Sequence, residues 1–185
     1  MTDKEHQNSE TTLTSYVSVA FKIAVAAIFA ALVAAATLLF VVPIPATSGY
    51  FNLGETLIYV AALLFGPFVG AIAGAGATIA DALVAAQYAP GTFTIKAIEG
   101  FFVGFLYKKL VQKTKSITLS ATIATIVGGF EMVLGYFLYE TLILGSTVAI
   151  LEVPFNIIQM LIGLIIAVPV MHALLRVFPQ LKSRI

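Results

Sequence analysis

Residues 17–42, VSVAFKIAVAAIFAALVAAATLLFVV, hold a single charge, Lys22, and run into Pro43. A bilayer core of roughly 30 Å needs about 20 mostly apolar residues in helical form to cross it, and this stretch is long enough. The rest of the chain has the same character: 60% of its 185 residues are hydrophobic, 10% are charged, and the mean hydropathy is +1.03. The sequence therefore reads as an all-α integral membrane protein.

Working outward from this first helix, Pro43 and Pro45 end it, and a second helix is expected over 54–65, closed by Gly66-Pro67. A third follows over 68–87, and a fourth over 93–111 after the turn Tyr88-Ala89-Pro90-Gly91. The fifth is expected over 118–139 and the sixth over 154–177. These make a six-transmembrane-helix bundle over 16–178, between a polar, structureless tail at 1–15 and a short tail at 179–185. A dozen residues are too few for an upright crossing. The second helix is therefore expected to tilt, to share its crossing with the preceding loop, or to be shielded by its neighbours.

Basic residues set the orientation. Lys108, Lys109, Lys113 and Lys115 crowd the connection after helix four, and Arg176, Lys182 and Arg184 follow helix six. Both groups belong on the cytoplasmic side, and six crossings bring the N-terminus with Lys4 and Lys22 there as well. Of ten Lys and Arg residues, only Lys96 falls in the outer half, so the asymmetry agrees with the count. The outward connections are then 43–53, 88–92 and 140–153. Both termini are expected in the cytoplasm of a plasma-membrane protein. Ala34-Ala35-Ala36 has the form of a signal-peptidase site, but the apolar run before it is too long and the tail is not distinctly basic.

Several chemistries are absent from the sequence. It contains no cysteine, which removes disulfides, thiol nucleophiles and thiolate metal sites. Its two histidines, His6 and His172, form no metal-ligand pattern, and no nucleotide-binding or nucleophile-elbow motif occurs. No enzyme activity, cofactor or metal is expected, and ATP chemistry would have to come from another chain.

Small residues mark close helix packing. Ala26, Ala30 and Ala34, with Ala27, Ala31 and Ala35 beside them, form two ridges on helix one, and Gly66, Gly70 and Gly74 form one at helix three. The glycine row suits packing within the bundle. The twin alanine rows suit either that or docking of a partner subunit.

Polar residues cluster between Gly49 and Gly100 and again near the end of the chain. A charge at the bilayer centre costs roughly 2.5–3.5 kcal/mol on insertion scales, so a group of them points to a shared polar cavity. Lys96 and Glu99, three apart, share a face of helix four and serve either as a structural ion pair or as ligand contacts, with Thr92 and Thr94 at the same mouth. Glu131, Gly135 and Tyr139 repeat at spacing four like a pocket wall. Glu152, Asn156, Gln159 and Gly163 form a stripe down helix six. Its amides could bond to neighbouring helices or read the edge of a heterocycle whose plane aromatic rings cover. Asp81 is open to a similar choice between helix anchor and site.

The alanine-rich first helix, Val42-Pro43-Ile44-Pro45, GYFNLGE at 49–55, LLFGPFVGAIAG at 63–74, YAPGTFTIKAIEG at 88–100 and PFNIIQMLIG at 154–163 share an order. Over nearly the whole membrane domain they resemble the substrate-binding S component of energy-coupling factor (ECF) vitamin transporters. The resemblance implies a six-helix bundle that captures a vitamin or precursor at its outer face, under a cap formed by the loop after helix one. It also implies a transmembrane coupling subunit and two cytoplasmic ATPases as partners, with an alanine docking surface at Ala26, Ala27, Ala30 and Ala31. Carried over by position, the ligand contacts are Asn52, Glu55, Lys96, Glu99, Glu131, Tyr139, Asn156 and Gln159. GYFNLGE and TIKAIEG look most like the subgroup that includes riboflavin and hydroxymethylpyrimidine or pyridoxine-type members. With no tryptophan in the chain and no arginine in the outer half, a pyrimidine or pyridine precursor is favoured and riboflavin comes next. A secondary transporter using Asp81, Lys96 and Glu131 as a proton relay is the alternative from another class, and a structural membrane protein is a third.

Overall fold

The computed structural model describes residues 3–44, 47 and 49–184, with side chains from 19 to 181. Between Asp3 and Leu39 there is neither proline nor glycine, so nothing interrupts the i→i−4 ladder, and one helix, α1 (Asp3–Leu39), runs through. Where the sequence suggests a structureless tail, the described backbone is helical from Asp3 onward, and no element boundary falls near residue 15. Pro45, expected to help close this helix, lies outside the described residues.

A two-stranded hairpin follows, β1 (Val42–Pro43) and β2 (Tyr50–Phe51), antiparallel with Val42 opposite Phe51 and Pro43 opposite Tyr50. Then come α2 (Gly54–Phe65), α3 (Pro67–Val84), α4 (Ala89–Thr114), α5 (Ile117–Ile143) and α6 (Ser146–Val177), and a 3-10 turn at Pro179–Arg184. Gly66, at φ +86°, makes the turn between α2 and α3 in a conformation that few other residues adopt, and Pro67 opens α3. The Ser116 side chain caps α5 by accepting from the Leu119 N–H at 3.3 Å.

Two expected helix starts inside the bundle move by four residues or more, and proline is the reason in both. Pro90, expected in a turn that precedes α4, sits in the first turn of that helix, where its missing N–H has no intrahelical partner to lose. Pro154 does not start α6. It lies inside that helix, which begins eight residues earlier at Ser146, and the connection expected over 140–153 contracts to Leu144-Gly145.

Four of the helices, counting Val19–Leu39 of α1 with α3, α5 and α6, are long and apolar enough to cross a membrane. At 26 residues α4 is about 39 Å long, but Lys96, Glu99 and its terminal lysines interrupt its apolar character. The short α2, about 18 Å long, is the central element, packed against α1, α3, α4 and α6 and buried along almost its whole length. Of the three expectations for this helix, the structure has the shielded one.

Closest approach occurs between α3 and α4. A Cβ on Gly70 would strike the Gly100 carbonyl, one on Gly100 would strike Gly70, and one on Gly74 would strike the Lys96 carbonyl. The glycine ridge therefore serves the bundle, setting the Lys96 turn of α4 directly against α3. On α1 the two alanine rows separate. Ala26 and Ala34 are buried, and the Ala30 backbone lies against Gly76 of α3, whereas Ala27, Ala31 and Ala35 are exposed.

Candidate functional site

The polar residues of the bundle form two layers. The deeper one is centred on Lys96, whose ammonium pairs with the Glu55 carboxylate of α2 and, at 3.2 Å, with Glu99 one turn further along α4. Tyr59 donates to Glu99 at 3.1 Å, and the Gln159 amide of α6 donates to Glu55 at 3.3 Å. The ammonium also lies 5.6 Å from the Tyr136 ring centroid. Glu55, Lys96 and Glu99 are each at least 97% buried, and the ion pair, one of the two readings open for positions 96 and 99, is present and extends to α2.

Above this layer a cavity of about 360 Å³, including its mouth, opens toward the hairpin end of the molecule. Gly49, Tyr50 and Asn52 line it from the loop after α1, and Asp81 and Tyr88 from the end of α3 and its connection to α4. Tyr136 and Glu140 line it from α5, and Glu152, Asn156 and Gln159 from α6. The stripe read on α6 thus does face a pocket.

The hairpin is fastened over this cavity by three polar contacts to α3 and α6. Thr47 donates to the Glu152 carboxylate, the Tyr50 hydroxyl donates to Asp81, and the Asn52 N–H donates to the Gln159 carbonyl at 3.2 Å. Asn52 also accepts from the Gly54 N–H at 2.9 Å, which ties the loop to the start of α2. Burial, and then the Asp81 carboxyl beside it, push the Tyr50 phenol up, so it stays a donor. Asp81 accepts a second bond from Thr92, which is 2.8 Å from the Tyr136 hydroxyl. It is both a helix anchor and a lining residue.

Of the expected contacts, Asn52, Asn156 and Gln159 line the cavity, while Glu55, Lys96 and Glu99 lie beneath it. Glu131 and Tyr139 do not line it. Tyr139 instead donates to the Gln87 carbonyl at 2.8 Å, with its ring under Gly91, and so braces the connection before α4. The inward row of α5 is the neighbouring one, Met132, Tyr136 and Glu140, displaced by one residue or about 100° of helix. Tyr50, Tyr88, Tyr136, Glu140 and Glu152 are lining residues absent from the expected set. Glu152 was visible in the α6 stripe, and spacing from Asp81 or Gln159 gave no hint of the others.

Comparison with known proteins gives the family. The family profile described as "ECF-type riboflavin transporter, S component" matches residues 18–176. The chain is also 37% identical over 131 residues to an "uncharacterized protein in gap 3'region" of Pyrococcus woesei, an alignment covering 70% of this chain and 85% of that one.

Proposed function

Because the chain belongs to the family of S components of ECF-type riboflavin transporters, we propose that it captures riboflavin under the 42–53 hairpin and delivers it inward. The family is one of membrane transport subunits that work with an energy-coupling module. In this reading the hairpin end faces outward, the lysine-rich end faces the cytoplasm, and the chain crosses the membrane six times with both termini inside.

The observation that carries the reading is the polar cavity closed by the hairpin. Three tyrosines, Tyr50, Tyr88 and Tyr136, offer faces to a flat ring, and Asn52, Asn156 and Gln159 offer donors and acceptors for its edge. The absence of tryptophan favours a smaller pyrimidine or pyridine vitamin as the second ligand reading. Glu55, Lys96 and Glu99 act from below by fixing Gln159 and Tyr136, and Glu131 and Tyr139 support the wall from behind.

In this reading partner docking uses the exposed row Ala27, Ala31 and Ala35, since Ala26 is buried in the bundle and the Ala30 backbone lies against Gly76 of α3. ATP is hydrolysed by the partner ATPases, not by this chain. The test is uptake of labelled riboflavin by cells expressing the chain with and without a coupling module. Dependence on the module and on ATP supports the proposal, whereas uptake by the chain alone that collapses with the proton gradient favours a relay through Asp81, Lys96 and Glu131.

A further inference from the structure

A second cavity lies at the other end of the bundle from the hairpin, and capture leaves it unused. It measures about 980 Å³ including its mouth and opens between α1, the α2–α3 turn and the last part of α4. Phe21 and Lys22 line it from α1, Phe65, Phe68 and Val69 from either side of the turn, and Lys108 from α4.

Its charge is of one sign. Lys22 and Lys108 are exposed, no acidic side chain lines the cavity, and among the described residues neither lysine has an ion-pair partner. Lys109, the next residue on α4, is placed differently, with its ammonium 4.3 Å from the Phe105 ring centroid. The same wall holds the start of α3, whose N-terminus has no side-chain cap and whose first turn has no acidic residue. The positive end of that helix dipole therefore adds to the two cations. Cations that share a cavity without a counter-ion repel one another, and an anion seated beside both removes that cost. Beside these charges stand two apolar rings, Phe21 at 40% and Phe68 at 51% exposure, so the cavity suits an occupant with an anionic head and a hydrocarbon body.

We propose that this cavity holds an acidic phospholipid of the cytoplasmic leaflet, with its phosphate against Lys22 and Lys108 and its chains leaving across Phe21 and Phe68. Only the orientation is taken from the reading above, with the lysine-rich end inward, and the identity of the captured vitamin does not enter. Two observations favour a lipid over a soluble phosphate or an acidic peptide. The basic residues place this end at the inner membrane interface, where basic pockets between helices attract anionic headgroups. The exposed rings at the rim would stay uncovered by a small soluble anion. A lipid so seated links α1 to α4 across the α2–α3 turn and stabilises the inner end of the bundle.

The experiment uses the purified full-length protein in neutral detergent, with thermal melting and native mass spectrometry after addition of phosphatidylglycerol, phosphatidylcholine or inorganic phosphate. Phosphatidylglycerol is expected to raise the melting temperature by several degrees more than phosphatidylcholine and to remain as a one-lipid adduct. The double variant Lys22→Gln, Lys108→Gln is expected to bind it at least about tenfold more weakly, whereas Lys113→Gln, Lys115→Gln, which removes as much charge outside the cavity, should keep it. Gel filtration reports whether the variants are folded, and the wild-type lipid comparison decides without them. Equal stabilisation by both lipids overturns the proposal, as does equal weakening in the two double variants. Inorganic phosphate reproducing the whole shift assigns the cavity to a soluble anion and overturns it too. So does loss of co-purification with a coupling subunit in the Lys22, Lys108 variant without any lipid preference in the wild type, which assigns the cavity to a protein. Riboflavin titration of the same variants is expected to be unchanged, so failure here leaves the capture reading standing.

Discussion

Lys96 on α4 and Glu55 on α2 form an ion pair with side chains no more than 4% exposed, across 41 residues of sequence, in the middle of a membrane bundle. Glu99 and Gln159 complete the network, so one ammonium links α2, α4 and α6 directly beneath the cavity. Truncating one member of a buried pair leaves an uncompensated charge and typically costs 3–5 kcal/mol. Lys96→Met is therefore expected to lower the melting temperature in detergent sharply. The triple variant Glu55→Gln, Lys96→Met, Glu99→Gln should recover part of that loss, because it leaves no buried charge behind. A single variant as stable as the wild type would contradict this role.

The α3–α4 contact gives a second expectation. Gly100→Val would force its side chain into the Gly70 backbone, and neither partner is a flexible side-chain tip that can move aside. Overpacking costs about 1–3 kcal/mol and more when backbone must shift, so the variant should melt earlier and hold ligand more weakly through displacement of Lys96. Gly145→Ala has open space around it but sits at φ +91°, so its smaller penalty would come from backbone strain alone.

A third concerns the hairpin. Thr47→Val removes the bond to Glu152, and Tyr50→Phe removes the bond to Asp81. Hydrogen bonds to charged groups contribute about 1.5–3 kcal/mol, so each variant should release ligand about tenfold faster or more in stopped-flow experiments, with little change in association rate. Equal release rates in wild type and both variants would show that the hairpin is not a latch.

The alanine rows give a fourth. Ala31→Trp adds bulk on the exposed face of α1 and is expected to abolish co-purification with a coupling subunit while leaving ligand affinity in the isolated chain intact. Ala30→Leu pushes against the α3 backbone at Gly76 and should instead reduce stability. The reverse pattern would mean that the docking row has been misassigned.

Much of this was legible in the sequence where physical chemistry leaves one option. The expected second helix, 54–65, coincides with Gly54–Phe65, because Gly66-Pro67 permits no continuation. Pro154 misled because a proline in an apolar run has two readings, helix start or tolerated interruption, and a membrane helix accepts the second. On α5 the period was right and the phase was off by one residue. Glu131-Gly135-Tyr139 and Met132-Tyr136-Glu140 have the same spacing, and only tertiary packing selects the row that faces inward. The two alanine rows posed the same problem, and the fit of Ala30 against Gly76 resolves it. Glu140 was hidden further, since the expected loop over 140–153 took it out of the helix that aims it at the cavity.

The most direct test of the central claim is an equilibrium titration of the purified chain with riboflavin, read by quenching of flavin fluorescence. Expected is saturable one-to-one binding with a Kd below about 1 μM, weakened at least about tenfold by Gln159→Ala, which removes contacts to both the hairpin and Glu55. No saturable quenching, together with no response to pyrimidine or pyridine vitamins, would contradict capture under the hairpin.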